Sequence, residues 1–424
     1  MNKDHILDWI QAGVVIVLAP LFLFPKVEWT WLFLVVPLVL IFRWMMQRSF
    51  FKRTILDWGI GLLLIQVFVT CFVVPDIWLS LPKVAGLVFG ILVFYSLLPL
   101  MDEAKRIKWG IYAFLGMGGV FTLFGVVGIG MRFRNEEYLG SVNAFLFRNI
   151  IGIFPRYNWQ LPGAEEGFNP NGVAGTLTLI FPLFLIFLYA YLKKRKGYYF
   201  GKKRVAFLAI LFFVVFIMGL VLFVSQSVGS WIGLVLSMAL IYAFIKAKRK
   251  SSMVILTVLS LALAFFLNSL INVQITDENM ARGTLERKSI IRMKFWNIGI
   301  DAAGKHPLTG IGMNMLRQSD KITYEQAHAH NHLIHTAAEM GIPGLAAYLA
   351  LLVGAGVMCV EVWRKGKTGW MRMSVLGLGA GQLAHFIWGM GDTFTLGGKP
   401  GIVFWVSLGL IAGIYDYEMG RRDS

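Results

Sequence analysis

The sequence predicts an all-α polytopic membrane protein with about 12 transmembrane helices. Of its 424 residues, 57% are hydrophobic, and the mean hydropathy is +0.67, which exceeds what a soluble domain usually shows. Apolar windows of about 20 residues, the length that a helix needs to cross a bilayer, recur along the whole chain. A net charge of +17 would indicate nucleic acid for a soluble protein, but here the basic residues cluster between the apolar windows, so no nucleic-acid partner is expected.

The predicted spans follow one another without a soluble domain, so residues 1–424 form a single membrane domain. In chain order the spans are 9–25, 28–46, 55–74, 84–100, 109–130, 170–192, 205–224, 227–245, 252–272, 341–362, 373–391 and 400–417. Two long loops remain, 131–169 and 273–340. The second loop, between spans nine and ten, is too long to be a simple connection.

The distribution of lysine and arginine predicts the orientation of the chain. Of the 40 basic residues, 25 lie in alternate short segments and at the termini, and positive residues accumulate on the cytoplasmic side. Both termini are therefore expected inside, and both long loops outside. The other 15 basic residues lie in outward segments. They favour an anionic partner such as a lipid phosphate or pyrophosphate, although simple solvation of loop residues is an alternative.

The loop 273–340 is predicted to be largely helical. Residues 292–312 form an amphipathic pattern with an apolar stripe, and Gly304 and His306-Pro307 are expected to end this helix. The stripe consists of Ile291, Phe295, Ile298 and Ala302. Such a helix is expected in the outer interface with Trp296 at headgroup depth, and residues 323–340 are predicted to form a second helix.

Four of the seven histidines fall within eight positions of this second segment. They are His328, His330, His332 and His335. Imidazole titrates near neutral pH and can accept a proton from a sugar hydroxyl without a cofactor, so one of these histidines is a candidate base. A histidine-rich surface turn is one alternative. A metal site is another, because His328 and His332, or His332 and His335, would share a helix face.

Arginines in the same loop suit an anionic leaving group. Guanidinium groups hold pyrophosphate bidentately and stabilise the charge that develops as it departs, so Arg292, Arg287 and Arg282 are candidate substrate ligands. His328 and Asn331 are predicted to contact substrate beside His330. Asn169 and Asn171 lie at the start of the sixth span, where either asparagine would serve as a helix cap, and Asn171 is also a candidate to donate hydrogen bonds to a sugar.

Several of these segments together resemble the O-antigen ligase and O-antigen polymerase superfamily of bacterial envelope glycosyltransferases, over roughly residues 165 to 345. His330-Asn331, nine residues and then Gly341 and Gly344 resemble its His-Asn signature, and this resemblance makes His330 the candidate base. The other matching segments are Arg292-x3-Trp296, Pro307-Leu308-x-Gly310-x-Gly312 and Asn169-Pro170-Asn171.

The resemblance implies a GT-C-like helical fold in the bacterial inner membrane. It implies metal-independent, inverting transfer of a glycan from undecaprenyl pyrophosphate to a hydroxyl of lipid A-core, or to another glycan in the polymerase branch, on the periplasmic side. No cofactor is expected. One position departs from the family: Val228 stands where relatives carry a pyrophosphate-binding arginine. The alternative from another class is a polyprenyl-glycan transporter or flippase. Transporters tend to carry charged residues in the middle of their spans and to consist of two similar halves. In this sequence such charges are scarce and the halves differ, which argues against a transporter.

The topology is testable by cysteine labelling in a variant that lacks Cys71 and Cys359. Because the positive segments stay inside, Asp320→Cys should react with a membrane-impermeant maleimide added to intact cells, and Gly197→Cys should react only after lysis. The reverse pattern would contradict the predicted orientation.

Overall fold

The computed structural model describes residues 3–23, 35–47, 51–132, 169–193, 202–225, 227–246, 284–318, 328–393 and 396–420. These residues form α-helices and short 3-10 turns, and no strand occurs among them. The helices are α1 (Lys3–Leu23), α2 (Val35–Gln47), α3 (Asp57–Val73), α4 (Ile77–Leu97), α5 (Ala104–Arg132), α6 (Pro170–Lys193), α7 (Lys202–Val224), α8 (Val228–Lys246), α9 (Thr284–Lys305), α10 (His332–Lys365), α11 (Gly369–Trp388) and α12 (Gly401–Gly420).

The helices follow the predicted spans along most of the chain. Eleven of the twelve predicted spans coincide with a helix, whereas 252–272 lies outside the described residues, as does most of the loop 131–169. Seven described helices are long and apolar enough to cross a membrane, namely Ile77–Met101, Ala104–Val127, Pro170–Leu192, Val205–Val224, Val228–Ile245, His332–Lys365 and Gly401–Gly420. The protein is therefore an all-α, multi-pass membrane protein.

Large apolar side chains on the outside of the bundle agree with a lipid environment. Trp58 is 90% exposed and Phe72 is 75% exposed on α3, while Val17 on α1 is 77% exposed. A water-soluble monomer rarely leaves so many large apolar side chains uncovered. These faces, which the described part of the chain leaves uncovered, suit contact with the bilayer.

Helix α11 packs closely against α6 and α8 because glycines face it. A Cβ added to Gly381 would lie 2.1 Å from the backbone oxygen of Leu179 on α6. A Cβ on Gly233 of α8 would lie 2.4 Å from the backbone oxygen of Ala384. Small residues allow helix backbones to approach within the membrane, so any side chain at these positions would separate the helices.

The region 292–340 differs in part from the expectation. Helix α9 ends at Lys305, as Gly304 and His306-Pro307 predict, but it already begins at Thr284. Two residues of its stripe pack against protein: Ile298 and Ala302 contact the cluster formed by Ala329 and its neighbours. The second helix, predicted over 323–340, instead begins at His332, because residues 328–331 are non-helical.

A backbone interlock joins the loop after α9 to a kink in α10. At Gly341 the φ angle is 67°, and the kink leaves backbone groups of the helix without their usual partners. The loop supplies these partners: Ile311 N–H donates to Ala338 O (2.9 Å), Gly312 N–H donates to Glu339 O (3.0 Å), and Ile342 N–H donates to Pro307 O (2.7 Å). The kink and the loop therefore stabilise each other.

We expect Gly341→Ala to destabilise the protein, because a Cβ would lie 2.7 Å from the backbone of Leu308 and the φ angle is left-handed. A residue forced into such a conformation costs about 1–3 kcal/mol. The thermal unfolding midpoint of the purified protein in detergent measures the effect. Gly356→Ala in the same helix is the matched control, since nothing lies within 4 Å of its added Cβ. Equal midpoints for both variants would contradict the interlock.

Candidate active site

The ends of several helices meet at one end of the bundle, which we call the site end. Trp388, the last residue of α11, lies 2.4 Å from a Cβ built on Gly175 near the start of α6 and 3.4 Å from one built on Gly229 at the start of α8. His332 N–H, at the start of α10, donates to Gly389 O at 2.7 Å. The starts of three helices therefore surround the end of α11.

Asn331 fixes the start of α10 at this end. Its Oδ1 accepts hydrogen bonds from Leu333 N–H (3.0 Å) and Ile334 N–H (3.2 Å), and its Nδ2 donates to Met390 O at 3.2 Å. Asparagine is a preferred N-cap because its oxygen satisfies the free N–H groups of the first turn. Its substrate contact stays a prediction, since the buried amide already has these structural partners.

His330, the residue before this cap, is held in an unusual conformation. Its φ angle is 47°, a left-handed value that non-glycine residues rarely adopt and that often marks a functional site. Its Nδ1 lies 3.3 Å from Oδ1 of Asp392, and its ring lies 4.2 Å from the His328 ring, nearly perpendicular at 85°. The side chain is 25% exposed, so one edge of the imidazole stays accessible.

Asp392 connects both histidines to the α11–α12 turn. Its Oδ1 accepts a hydrogen bond from Thr393 N–H at 2.7 Å and lies 3.7 Å from Nε2 of His328. Burial by itself would raise the pKa of Asp392, but the hydrogen bond from His330 and the charges of both histidines outweigh it and hold that pKa below its ordinary value. The carboxylate is therefore ionised at neutral pH.

His328 is neutral under the same conditions. Burial is the larger cause and the neighbouring His330 the second, and together they lower the pKa of His328 to about 4 despite the attraction of Asp392. Neutral imidazole offers a nitrogen lone pair that can accept a proton or bind a metal ion. The partly exposed region around His328, His330 and Asp392, which we call the pocket, thus contains one buried anion and at least one neutral imidazole.

The other two histidines of the cluster lie inside the protein. His332 packs edge-on against Tyr348, with ring centroids 4.5 Å apart. Nε2 of His335 lies 3.3 Å from Oε2 of Glu339, and both side chains are buried. The predicted sharing of a helix face by His328 and His332 is wrong, because α10 begins only at His332.

Helix α9 contacts the site end and carries the predicted ligand Arg292. Phe295 lies against His330, with ring centroids 5.9 Å apart, and Gly299 lies against Ile334. Arg292 is half-buried and three residues before Phe295, so it lies on the same side of α9. The side chain of Arg287 and the whole of Arg282 lie outside the described residues.

Asn171 and Val228 lie at the starts of α6 and α8. The Oδ1 of Asn169 accepts a hydrogen bond from Asn171 N–H at 3.0 Å, so Asn169 provides the predicted cap and Asn171 stands half-buried in the first turn. Val228 is 64% exposed. Both positions belong to the site end, where α6 and α8 surround Trp388.

Asp392 is the functional candidate that the sequence did not reveal. It stands 62 residues after His330 in a glycine-rich turn, and no spacing rule connects the two. Its one signal is that it is an isolated acidic residue next to a long apolar segment, where ionisable groups tend to be functional.

Comparison with known families agrees with this geometry. Residues 213–349 match the family model described as O-Antigen ligase. This segment of the chain is therefore similar to the O-antigen ligase superfamily. The matched O-antigen ligase region contains α8, α9, His328, His330 and the kink of α10, whereas Asp392 lies beyond it. No curated protein matches the chain.

The similarity to the O-antigen ligase superfamily over this segment supports a membrane glycosyltransferase of ligase or polymerase type. The site end suits such chemistry, since a buried carboxylate, two imidazoles and the arginine-bearing helix α9 meet there.

Proposed function

We propose that this protein is an O-antigen ligase-type glycosyltransferase. It moves a glycan from undecaprenyl pyrophosphate to a hydroxyl of lipid A-core, or of a related acceptor, at the periplasmic face of the inner membrane. The observation that carries the proposal is the His330–Asp392 pair, 3.3 Å apart, in a partly open pocket that α9 borders. Histidine and carboxylate in this arrangement form a general base.

His330 removes the proton of the attacking hydroxyl. With a proton on Nδ1 donated to Asp392, the lone pair of His330 is on Nε2, the atom that then faces the acceptor. Asp392 holds the ring in this tautomer and stabilises the imidazolium that forms, as carboxylates do for catalytic histidines. In the left-handed backbone conformation of His330, its Nδ1 lies 3.3 Å from Oδ1 of Asp392.

Transfer proceeds by one displacement at the anomeric carbon. The acceptor oxygen forms a bond to that carbon, its proton passes to Nε2 of His330, and the bond to the pyrophosphate oxygen breaks with its electron pair. Undecaprenyl pyrophosphate is released, and the anomeric configuration inverts. In this scheme Arg292 neutralises the leaving pyrophosphate, with Arg287 and Arg282 as further ligands and Asn171 and His328 against the sugar. No metal takes part.

The conservative replacements His330→Asn and Asp392→Asn test this mechanism. Asparagine tolerates the left-handed φ angle of residue 330 but is no base, so we expect transfer to fall about 100- to 10,000-fold. The transfer rate of Asp392→Asn should fall by a comparable factor, because the tautomer of His330 is no longer fixed. The measurement is the rate of product formation by purified protein with a lipid-linked glycan and lipid A-core.

His306→Ala is the matched control for these variants, since His306 is exposed on the loop after α9 and should keep wild-type activity. Activity of His330→Asn within a few-fold of wild type would remove His330 from the mechanism. Product formation only with a second lipid-linked glycan as acceptor would assign the protein to the polymerase branch. Transbilayer movement of the donor without any new glycosidic bond would assign it to the transporter class.

Arg292 and Val228 are tested together. A lysine cannot reproduce the bidentate contact of a guanidinium with pyrophosphate, so Arg292→Lys should lose most activity although the charge is kept. Val228→Arg restores the family residue at an exposed position and should lower the KM for the donor.

Val235→Arg serves as the control for Val228→Arg. Val235 is as exposed as Val228, at 63%, but lies seven residues further along α8, about 10 Å deeper. It should bring no gain in donor affinity. An unaffected Arg292→Lys variant, together with a Val228→Arg variant whose KM does not change, would contradict this assignment of the pyrophosphate site.

A further inference from the structure

Three atoms of the pocket lie at the mutual distances of metal ligands. They are Nε2 of His328, Nδ1 of His330 and Oδ1 of Asp392, all within 4.8 Å of one another. The carboxylate oxygen lies 3.3 Å from the His330 nitrogen and 3.7 Å from the His328 nitrogen. In a tetrahedral zinc site, where bonds to nitrogen and oxygen are about 2.0–2.2 Å long, neighbouring ligand atoms lie about 3.3–3.6 Å apart. Two of the ligand-to-ligand distances of a tetrahedral site are therefore nearly in place.

The surrounding structure holds these atoms in place. Asp392 is 5% exposed and its Oδ1 is fixed by Thr393 N–H. His330 is held between Asn331, the N-cap residue that follows it, and the ring of Phe295. Nδ1 of His328 is buried and makes no hydrogen bond to another described side chain.

The open side of the pocket leaves a fourth position. The His328 side chain is 30% exposed and the His330 side chain 25% exposed, so an ion can enter and keep a water molecule. Two imidazoles and one carboxylate suit zinc, cobalt or nickel, whereas magnesium and calcium prefer oxygen ligands. The donor set therefore selects a borderline-soft divalent ion.

We propose that His328, His330 and Asp392 form a binding site for a divalent transition metal of the zinc type, and that occupation of this site inhibits glycosyl transfer. The metal takes the lone pair of Nδ1 of His330, and the single proton of the neutral ring moves to Nε2. Nε2 then donates a hydrogen bond and cannot accept the proton of the acceptor hydroxyl. The binding step is independent of the proposed function, whereas the inhibition rests on it.

Binding is measured on full-length protein in detergent, purified with an affinity tag that contains no histidine. Cobalt(II) is the probe, because tetrahedral coordination gives intense visible absorption that zinc then displaces. We expect one cobalt per chain in the wild type and in the His306→Ala control. His328→Ala, His330→Asn and Asp392→Asn should each weaken binding about tenfold or more. Absence of saturable binding, or wild-type binding in all three variants, would overturn the site.

Inhibition is measured in the transfer assay with added zinc and with a chelator. The zinc concentration that halves transfer should match the binding constant, and the chelator should restore the full rate. If the chelator abolishes transfer and added zinc restores it, the metal is a catalytic component, and the proposed inhibition is overturned. If His330→Asn keeps transfer yet loses cobalt, the proposed base fails while the metal site stands.

Discussion

The interlock between the α9–α10 loop and the kink at Gly341 determines the geometry of the rest of the site. Three backbone hydrogen bonds cross this contact, and a Cβ on Gly310 would lie 2.4 Å from the backbone of Glu339. Buried backbone groups that lose their partners cost free energy comparable to a lost hydrogen bond. The kink is stable only with the loop in place, and the loop in turn fixes where α9 lies against α10.

The reactive pocket depends on that placement. Because α9 is anchored at its end, Phe295 contacts His330 and Arg292 stands on the same side of the helix. A second anchor acts from α11, where Gly389 O accepts His332 N–H and the following turn carries Asp392. His330 is therefore positioned by two helices that do not contain it. A buried carboxylate next to imidazole in a low-dielectric pocket also makes the same atoms suitable for proton transfer and for metal binding.

Much of the fold follows from the sequence because each helix is a local property. Apolar length predicts where the helices lie, and eleven of twelve predicted spans coincide with one. Helix α9 ends where the sequence predicts, at the helix-terminating residues Gly304 and His306-Pro307. The start of α10 was missed, since capping by Asn331 interrupts a segment whose composition alone is compatible with a longer helix.

The sequence by itself determined the membrane class, the family resemblance and the candidate base His330, because composition and short motifs are visible along the chain. Only the tertiary structure separated the four histidines into two that face a pocket and two that are buried. It also selected Asp392, 62 residues away, as the partner of His330. The physical reason is that hydrogen bonds and burial depend on which helix ends meet, and that arrangement is set by glycine-mediated helix packing and by the kink at Gly341, not by spacing in the chain.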